Sequence, residues 1–105
     1  MAELRNITMP KWGLSMTTGT VTGWRVAVGD RIAEGDAALE VATAKIEGEV
    51  ESPVSGVVRR IIAEEDDELP VGALLAVVSD EEVSEAEIDA HIAEFQANFV
   101  PPEEE

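Results

Sequence analysis

The stretch Leu39-Glu40-Val41-Ala42-Thr43-Ala44-Lys45-Ile46-Glu47-Gly48-Glu49-Val50-Glu51 holds two alternating runs with a single break between them. Upstream of the break, Leu39, Val41 and Thr43 alternate with Ala38, Glu40 and Ala42; downstream, Ile46, Gly48 and Val50 alternate with Glu47, Glu49 and Glu51. Successive side chains on a strand point to opposite faces, so each run reads as a strand with one buried face. Two such runs this close together predict the arms of a hairpin, with Ala44-Lys45 at the bend. A tip of this kind holds its side chain in solvent without disturbing the core. Only two lysines occur in the chain, Lys11 and Lys45, and one of them falls at this bend.

Outward from the hairpin, the chain up to Ser79 repeats itself at an offset of 37 residues. Gly19 matches Gly56, Val21 matches Val58, Trp24 matches Ile61, and Val26 matches Ala63. Further along, Asp30 matches Asp67, Ile32 matches Leu69, Gly35 matches Gly72, and Val41 matches Val78. In both copies the apolar positions Val21/Trp24 and Val58/Ile61 are three apart, where alternation demands two or four. A shared β-bulge accounts for this, because one extra residue returns the next side chain to the same face. Short Val/Ile/Leu runs punctuated by Gly and Pro read as strands throughout. Each half is too small to bury its own apolar face, so the two halves are expected to pack on each other.

The copies differ in one place: nine positions separate Pro10 from Gly19, against three between Pro53 and Gly56. The first half therefore carries an extra loop, Lys11-Trp12-Gly13-Leu14-Ser15-Met16-Thr17-Thr18, rich in large apolar residues. Such residues in a loop serve either local packing or a contact surface. Beyond Asp80 the pattern changes from strand to helix. Ser84-Glu85-Ala86-Glu87 has the form of a capping box, and Ile88, Ile92, Phe95 and Phe99 follow along one helical stripe. Pro101-Pro102 ends it. The expected organisation is one domain over residues 1–80, a C-terminal helix over 81–100, and an acidic tail or linker start over 101–105. The helix is expected to pack on its own domain.

Composition limits the function. The 105 residues carry 7 basic and 23 acidic side chains, a net charge of −16, and ten of the acids lie in residues 80–105. A field of that sign repels phosphate backbones, which argues against nucleic acid and anionic membranes as partners. Without cysteine there is no disulfide framework, thiolate zinc site or cysteine nucleophile, and one histidine cannot build a multi-histidine metal site. No basic-then-apolar leader and no membrane-length apolar run is visible, so a cytoplasmic location is expected. The nucleophile elbow and the phosphate-binding loop with Lys-Ser/Thr are both missing. The acidic run Glu64-Glu65-Asp66-Asp67-Glu68 reads as a solvated turn, and His91 as an edge residue of the helix. No catalytic site is legible in this chain.

The ordered set of motifs resembles the lipoyl-attachment domains. Leu39 to Ile46, followed by Glu51-Ser52-Pro53-Val54-Ser55-Gly56-Val57-Val58, is similar to their attachment region. The similarity extends to Met9-Pro10, the loop Trp12-Gly13-Leu14-Ser15-Met16, Gly19 with Trp24, and Gly29-Asp30 through Gly35-Asp36, and covers about residues 5–79. Within the family, the Lys11–Met16 stretch, Leu69-Pro70-Val71-Gly72-Ala73-Leu74-Leu75 and the Ile88/Phe95/Phe99 helix most resemble a particular group. These are the N-terminal lipoyl domains of dihydrolipoamide acetyltransferase components of acetoin-cleaving and 2-oxo acid dehydrogenase complexes. The resemblance implies an all-β fold: a flattened barrel-sandwich hybrid of two four-stranded antiparallel sheets with pseudo-two-fold symmetry, to which the C-terminal amphipathic helix is added.

It also implies a function. Lipoic acid would be attached covalently to Lys45, with Thr43, Ala44 and Ile46 forming the attachment turn, and the domain would act as a swinging arm. Partner recognition would fall to Trp12, Leu14 and Met16, since the 11–18 loop lies beside the attachment lysine in the family. The implied partners are a thiamin-diphosphate dehydrogenase component, an acyltransferase domain, a flavin dihydrolipoamide dehydrogenase, and a lipoate ligase or lipoyl transferase. The resemblance implies that the chain belongs to an acyltransferase component. One departure stands out: the family's usual Glu-Thr-Asp-Lys turn is here Ala42-Thr43-Ala44-Lys45, which removes both acids nearest the lysine. Two alternatives remain at this point, a biotin-carrier domain of the same fold and an unmodified acidic interaction module.

Overall fold

A computed structural model describes residues 4–12 and 16–100. Eight strands and one helix follow in chain order: β1 (Arg5–Thr8), β2 (Thr18–Trp24), β3 (Arg31–Ile32), β4 (Ala37–Ala42), β5 (Glu47–Glu51), β6 (Gly56–Ile61), β7 (Glu68–Pro70), β8 (Leu74–Ser79) and α1 (Glu85–Asn98). They form two four-stranded antiparallel sheets, ordered β1-β8-β6-β3 and β5-β4-β2-β7. Replacing each strand of one sheet by its counterpart four places along the chain gives the order of the other. The pseudo-two-fold symmetry expected from the repeat is therefore present in the strand pairing itself.

The symmetry extends to irregularities. Val21 pairs with Val41 and Gly23 with Glu40, leaving Thr22 as the extra residue; Val58 pairs with Val78 and Arg60 with Val77, leaving Arg59. Thr22 and Arg59 are 37 residues apart, so the bulge is shared, and it accounts for the three-residue apolar spacing. The turns after β2 and β6 are also twins. Asp30 Oδ2 accepts from Ala27 N–H and Asp67 Oδ2 from Glu64 N–H, both at 2.9 Å. Each turn then clasps the opposite half: Val58 N–H donates to Asp30 O at 2.8 Å and Val21 N–H to Asp67 O at 2.9 Å. Gly29 and Asp66 occupy equivalent left-handed positions (φ 99° and 77°), a conformation that glycine adopts freely and that Asp tolerates.

The core lies between the sheets and draws on both halves: Val21, Ala38, Leu39, Val41 and Val50 face Val58, Leu75, Ala76 and Val78, with Ile7, Met9 and Ile32 closing it. Trp24 seals one side through its indole N–H, which donates to Ala63 O at 2.8 Å. Ala38 is as buried as Leu39 because the β4–β5 register shifts between Ala37 and Leu39. The acidic run 64–68 is exposed, as a solvated turn should be.

Every residue of β8 is buried, which alternation on a one-faced sheet would not give. The helix explains it by packing against β8. Its N-terminus is capped by Ser84, whose hydroxyl accepts from Glu87 N–H at 3.2 Å. Ile88 is its buried anchor, and Phe99, just past the last turn, lies against Gly72. Polar contacts flank these apolar ones. Arg60 on β6 reaches Asp89 at 3.0 Å and also pairs with Glu85, which together hold the guanidinium more firmly in its charged form, Asp89 most of all. A ring nitrogen of His91 lies 2.7 Å from Asn6 Oδ1, in keeping with an edge position. Among the described residues, no helix is long and apolar enough to cross a membrane.

Candidate functional site

The β4–β5 hairpin is paired from Ala37/Glu51 to Ala42/Glu47, and residues 43–46 make its tip. Thr43 N–H donates to Ile46 O at 2.7 Å, which leaves Ala44 and Lys45 as the two loop residues. Two-residue hairpin loops usually rely on left-handed Asn or Gly. Neither residue is left-handed here, since Asp66 is the one described non-glycine residue with positive φ.

The Thr43 hydroxyl holds the turn instead. Its Oγ1 accepts from Ile46 N–H at 3.1 Å and from Lys45 N–H at 3.3 Å, and the hydroxyl lies 3.3 Å from Ile46 O as a donor. Hydroxyl-to-backbone turns of this kind substitute a side-chain oxygen for a main-chain acceptor. Thr43 was singled out by resemblance alone; its bonding role could be read only from coordinates.

Ala44, Lys45 and Ile46 are exposed. The Lys45 ammonium has no hydrogen-bond or ion-pair partner among the described residues, so nothing competes for it. Ile46 continues the inward-facing series of Gly48 and Val50, yet is 44% exposed because the strand runs past the end of the core. The end of the loop that precedes β2 lies alongside: Met16, Thr17 and Thr18 line a groove of about 270 Å³ together with Thr43, Ala44, Lys45 and Ile46.

Of the three loop residues named from sequence, Trp12 and Met16 are half-buried and pack against the core, and Leu14 lies outside the described residues. The indole of Trp12 rests on Gly48: a Cβ at that position would stand 3.3 Å from Cη2 of the ring. Gly48 was not singled out from sequence. The available signal was a glycine inside an alternating run, which marks close approach by another group.

Acids on the edge strand β5 complete the surroundings. Glu47, Glu49 and Glu51 are exposed, and Arg25 bridges Glu40 and Glu49 at 3.0 and 3.3 Å. Charges on an edge strand discourage pairing with another chain, which suffices to explain them.

The two-sheet sandwich presents Lys45 at a reversal, exposed and without a partner among the described residues. Comparison with known proteins identifies the family. The sequence pattern of the biotin/lipoyl family, described as "Biotin-requiring enzyme", matches residues 5–78, and the chain belongs to that family. It is 55% identical over 100 residues to the dihydrolipoyllysine-residue acetyltransferase component of the acetoin cleaving system of Pseudomonas putida, covering 95% of this chain and 27% of that protein. The component of the same name from Cupriavidus necator is 49% identical, over 86% of this chain and 24% of that protein. The acetyltransferase component of the pyruvate dehydrogenase complex of Corynebacterium glutamicum is 44% identical, over 71% of this chain and 11% of that protein. The chain thus spans about a quarter of the first two relatives or less of the third. Among solved structures it is similar to urea carboxylase of Kluyveromyces lactis, with a TM-score of 0.61 and 26% identity over 72% of this chain and 6% of that one.

Proposed function

We propose that this chain is the lipoyl-bearing swinging-arm domain of an acyltransferase component in an acetoin-cleaving or 2-oxo acid dehydrogenase complex. The carrying observation is the Lys45 amine, exposed and without a partner among the described residues, at the apex of a turn locked by Thr43, in a chain similar to dihydrolipoyllysine-residue acetyltransferase components. An exposed amine fits a covalent cargo: acylation by an activated lipoate carboxyl forms the amide C–N bond, expels the activating group and releases a proton to solvent. When attached, lipoic acid supplies reversible dithiol–disulfide and acyl-carrier chemistry. That division lets a chain without cysteine serve sulfur chemistry.

The rest is the work of the protein. The sandwich holds Lys45 clear of the core, so an arm built on it sweeps solvent rather than protein surface. Tethering keeps the cargo at an effective concentration on the order of millimolar near successive sites. Those sites are a thiamin-diphosphate dehydrogenase component, an acyltransferase domain and a flavin dihydrolipoamide dehydrogenase, with a lipoate ligase or lipoyl transferase installing the arm. The 11–18 loop, with Trp12, Leu14 and Met16, belongs to the surface those enzymes read, and the cytoplasm is the compartment in which they work. Residues 1–80 form the carrier unit, 81–100 its docked helix, and 101–105 an acidic tail or linker start.

Incubation of the purified chain with a lipoate ligase, and separately with a biotin ligase, tests this by intact mass. A lipoyl-sized gain is expected. A biotin-sized gain alone would mark a biotin carrier, and no gain with either enzyme would leave an unmodified interaction module.

A further inference from the structure

We infer that Trp12 is a positioning residue for the Lys45 tip, acting on it through Gly48 and Met16 in addition to its place in the surface that partner enzymes read. The inference rests on Lys45 being the lipoyl attachment point. Ile46 at the tip continues the face that Gly48 and Val50 share on β5; Val50 is buried, Ile46 is exposed, and Gly48 between them has no side chain to cover the mouth of the core. Trp12 occupies that place. A Cβ on residue 48 would stand 3.3, 3.6 and 3.7 Å from Cη2, Cζ3 and Cζ2 of the indole, so the ring lies directly against the strand that leaves the tip.

A second link runs from Trp12 back to the tip by another route. The main-chain N–H of Trp12 donates to Met16 Sδ at 3.2 Å. Met16 is itself seated on β2, where a Cβ on Gly19 would come within 3.1 Å of its Cε, and Met16 with Thr17 and Thr18 forms the wall of the groove facing Thr43–Ile46. The contacts therefore close a ring: tip, β5, Trp12, Met16, groove wall, tip. Trp12 sets the spacing between the two surfaces that an incoming enzyme must fit together. Fixing that spacing before encounter removes an ordering cost from binding and leaves the chemical step at the lysine unaffected.

Lipoyl transfer to the intact chain by a purified lipoate ligase, with lipoic acid and ATP and varied chain concentration, separates the possibilities. Trp12→Ala is expected to raise KM for the chain about tenfold with kcat held within about twofold, and Trp12→Phe to recover most of the loss. In amide spectra, Trp12→Ala is expected to move the Ala44, Lys45 and Ile46 resonances while those of the 27–30 turn stay in place, which also shows that the barrel is folded. Gly48→Ala, whose new methyl crowds the indole, should act in the same direction. An unchanged KM in Trp12→Ala, or unmoved tip resonances, overturns the inference. A wild-type chain that accepts no lipoyl group overturns the attachment reading instead, and the tip resonances still decide whether Trp12 governs the tip.

Discussion

The two halves of the barrel share strands, bulges and turns, and only one of them carries a lysine at a reversal. In the first sheet to be compared, β4 and β5 are joined by the four residues 43–46. In the other, their counterparts β8 and β1 pair in the same antiparallel way, but no turn joins them: the chain enters at β1 and leaves β8 toward the helix. The pole equivalent to Lys45 is thus where the chain comes and goes. The second deviation, the longer connection from Pro10 to Gly19, falls at the Lys45 end and lays Met16–Thr18 beside it. What the halves share builds the scaffold, and what they do not share builds the site. On the proposed function, the working part of this molecule sits in departures from its own repeat.

Perturbing matched positions tests that division. The largest effect should come from Leu39, fully buried where the symmetric position holds Ala76. Leu39→Ala is expected to cost about 2–5 kcal/mol in urea unfolding, and Ala76→Leu, which overfills the same core from the other side, about 1–3 kcal/mol. Equal and negligible costs would mean that the two halves do not share one close-packed core. Next comes the tip: Thr43→Val strips Oγ1 from two N–H groups that lie near solvent, for a loss of about 1 kcal/mol. Its signature should be local, with faster amide exchange at Lys45 and Ile46 and no matching change in the β8–β1 pair.

The twin turns should then respond alike. Asp30→Ala and Asp67→Ala each remove one 2.9 Å bond to a backbone N–H, for about 1 kcal/mol apiece. A difference well beyond that scale would break the symmetry argument. The smallest effect belongs to Arg60→Ala, whose partners on the helix are exposed acids. A surface pair of this kind contributes about 1 kcal/mol or less and is weakened by salt, so faster exchange in α1 at low ionic strength is the readout. Because the pairing raises the guanidinium pKa, its contribution is complete below the ordinary arginine range and is lost only as pH rises through the still higher folded value. Salt, and not alkali, is therefore the practical probe.

Much of this was legible from residues alone, for physical reasons. Period-two alternation exposes strands with one buried face, and so the hairpin around Lys45 could be placed; a repeated break in that alternation exposed a shared bulge, which the strand register puts at Thr22 and Arg59. The stripe on the helix was visible, but not where it docks, because β8 reads as a continuous apolar run that any partner could cover. Ile46 looked inward by alternation and emerged into solvent, since periodicity assigns a face but not where the core ends. Trp12 and Met16 illustrate the same limit. Large apolar residues in a loop signal contact, and only the approach of the indole to Gly48 shows that the contact is with the protein's own strand.

The central claim is that Lys45 alone carries the arm. Peptide mapping of the chain and its Lys45→Arg variant after treatment with lipoate ligase addresses it directly. The expected result is one lipoyl group on Lys45 in the natural chain and none in the variant, with both proteins giving the same unfolding profile. A lipoyl group found on Lys11, or retained by the folded variant at any position, would contradict it.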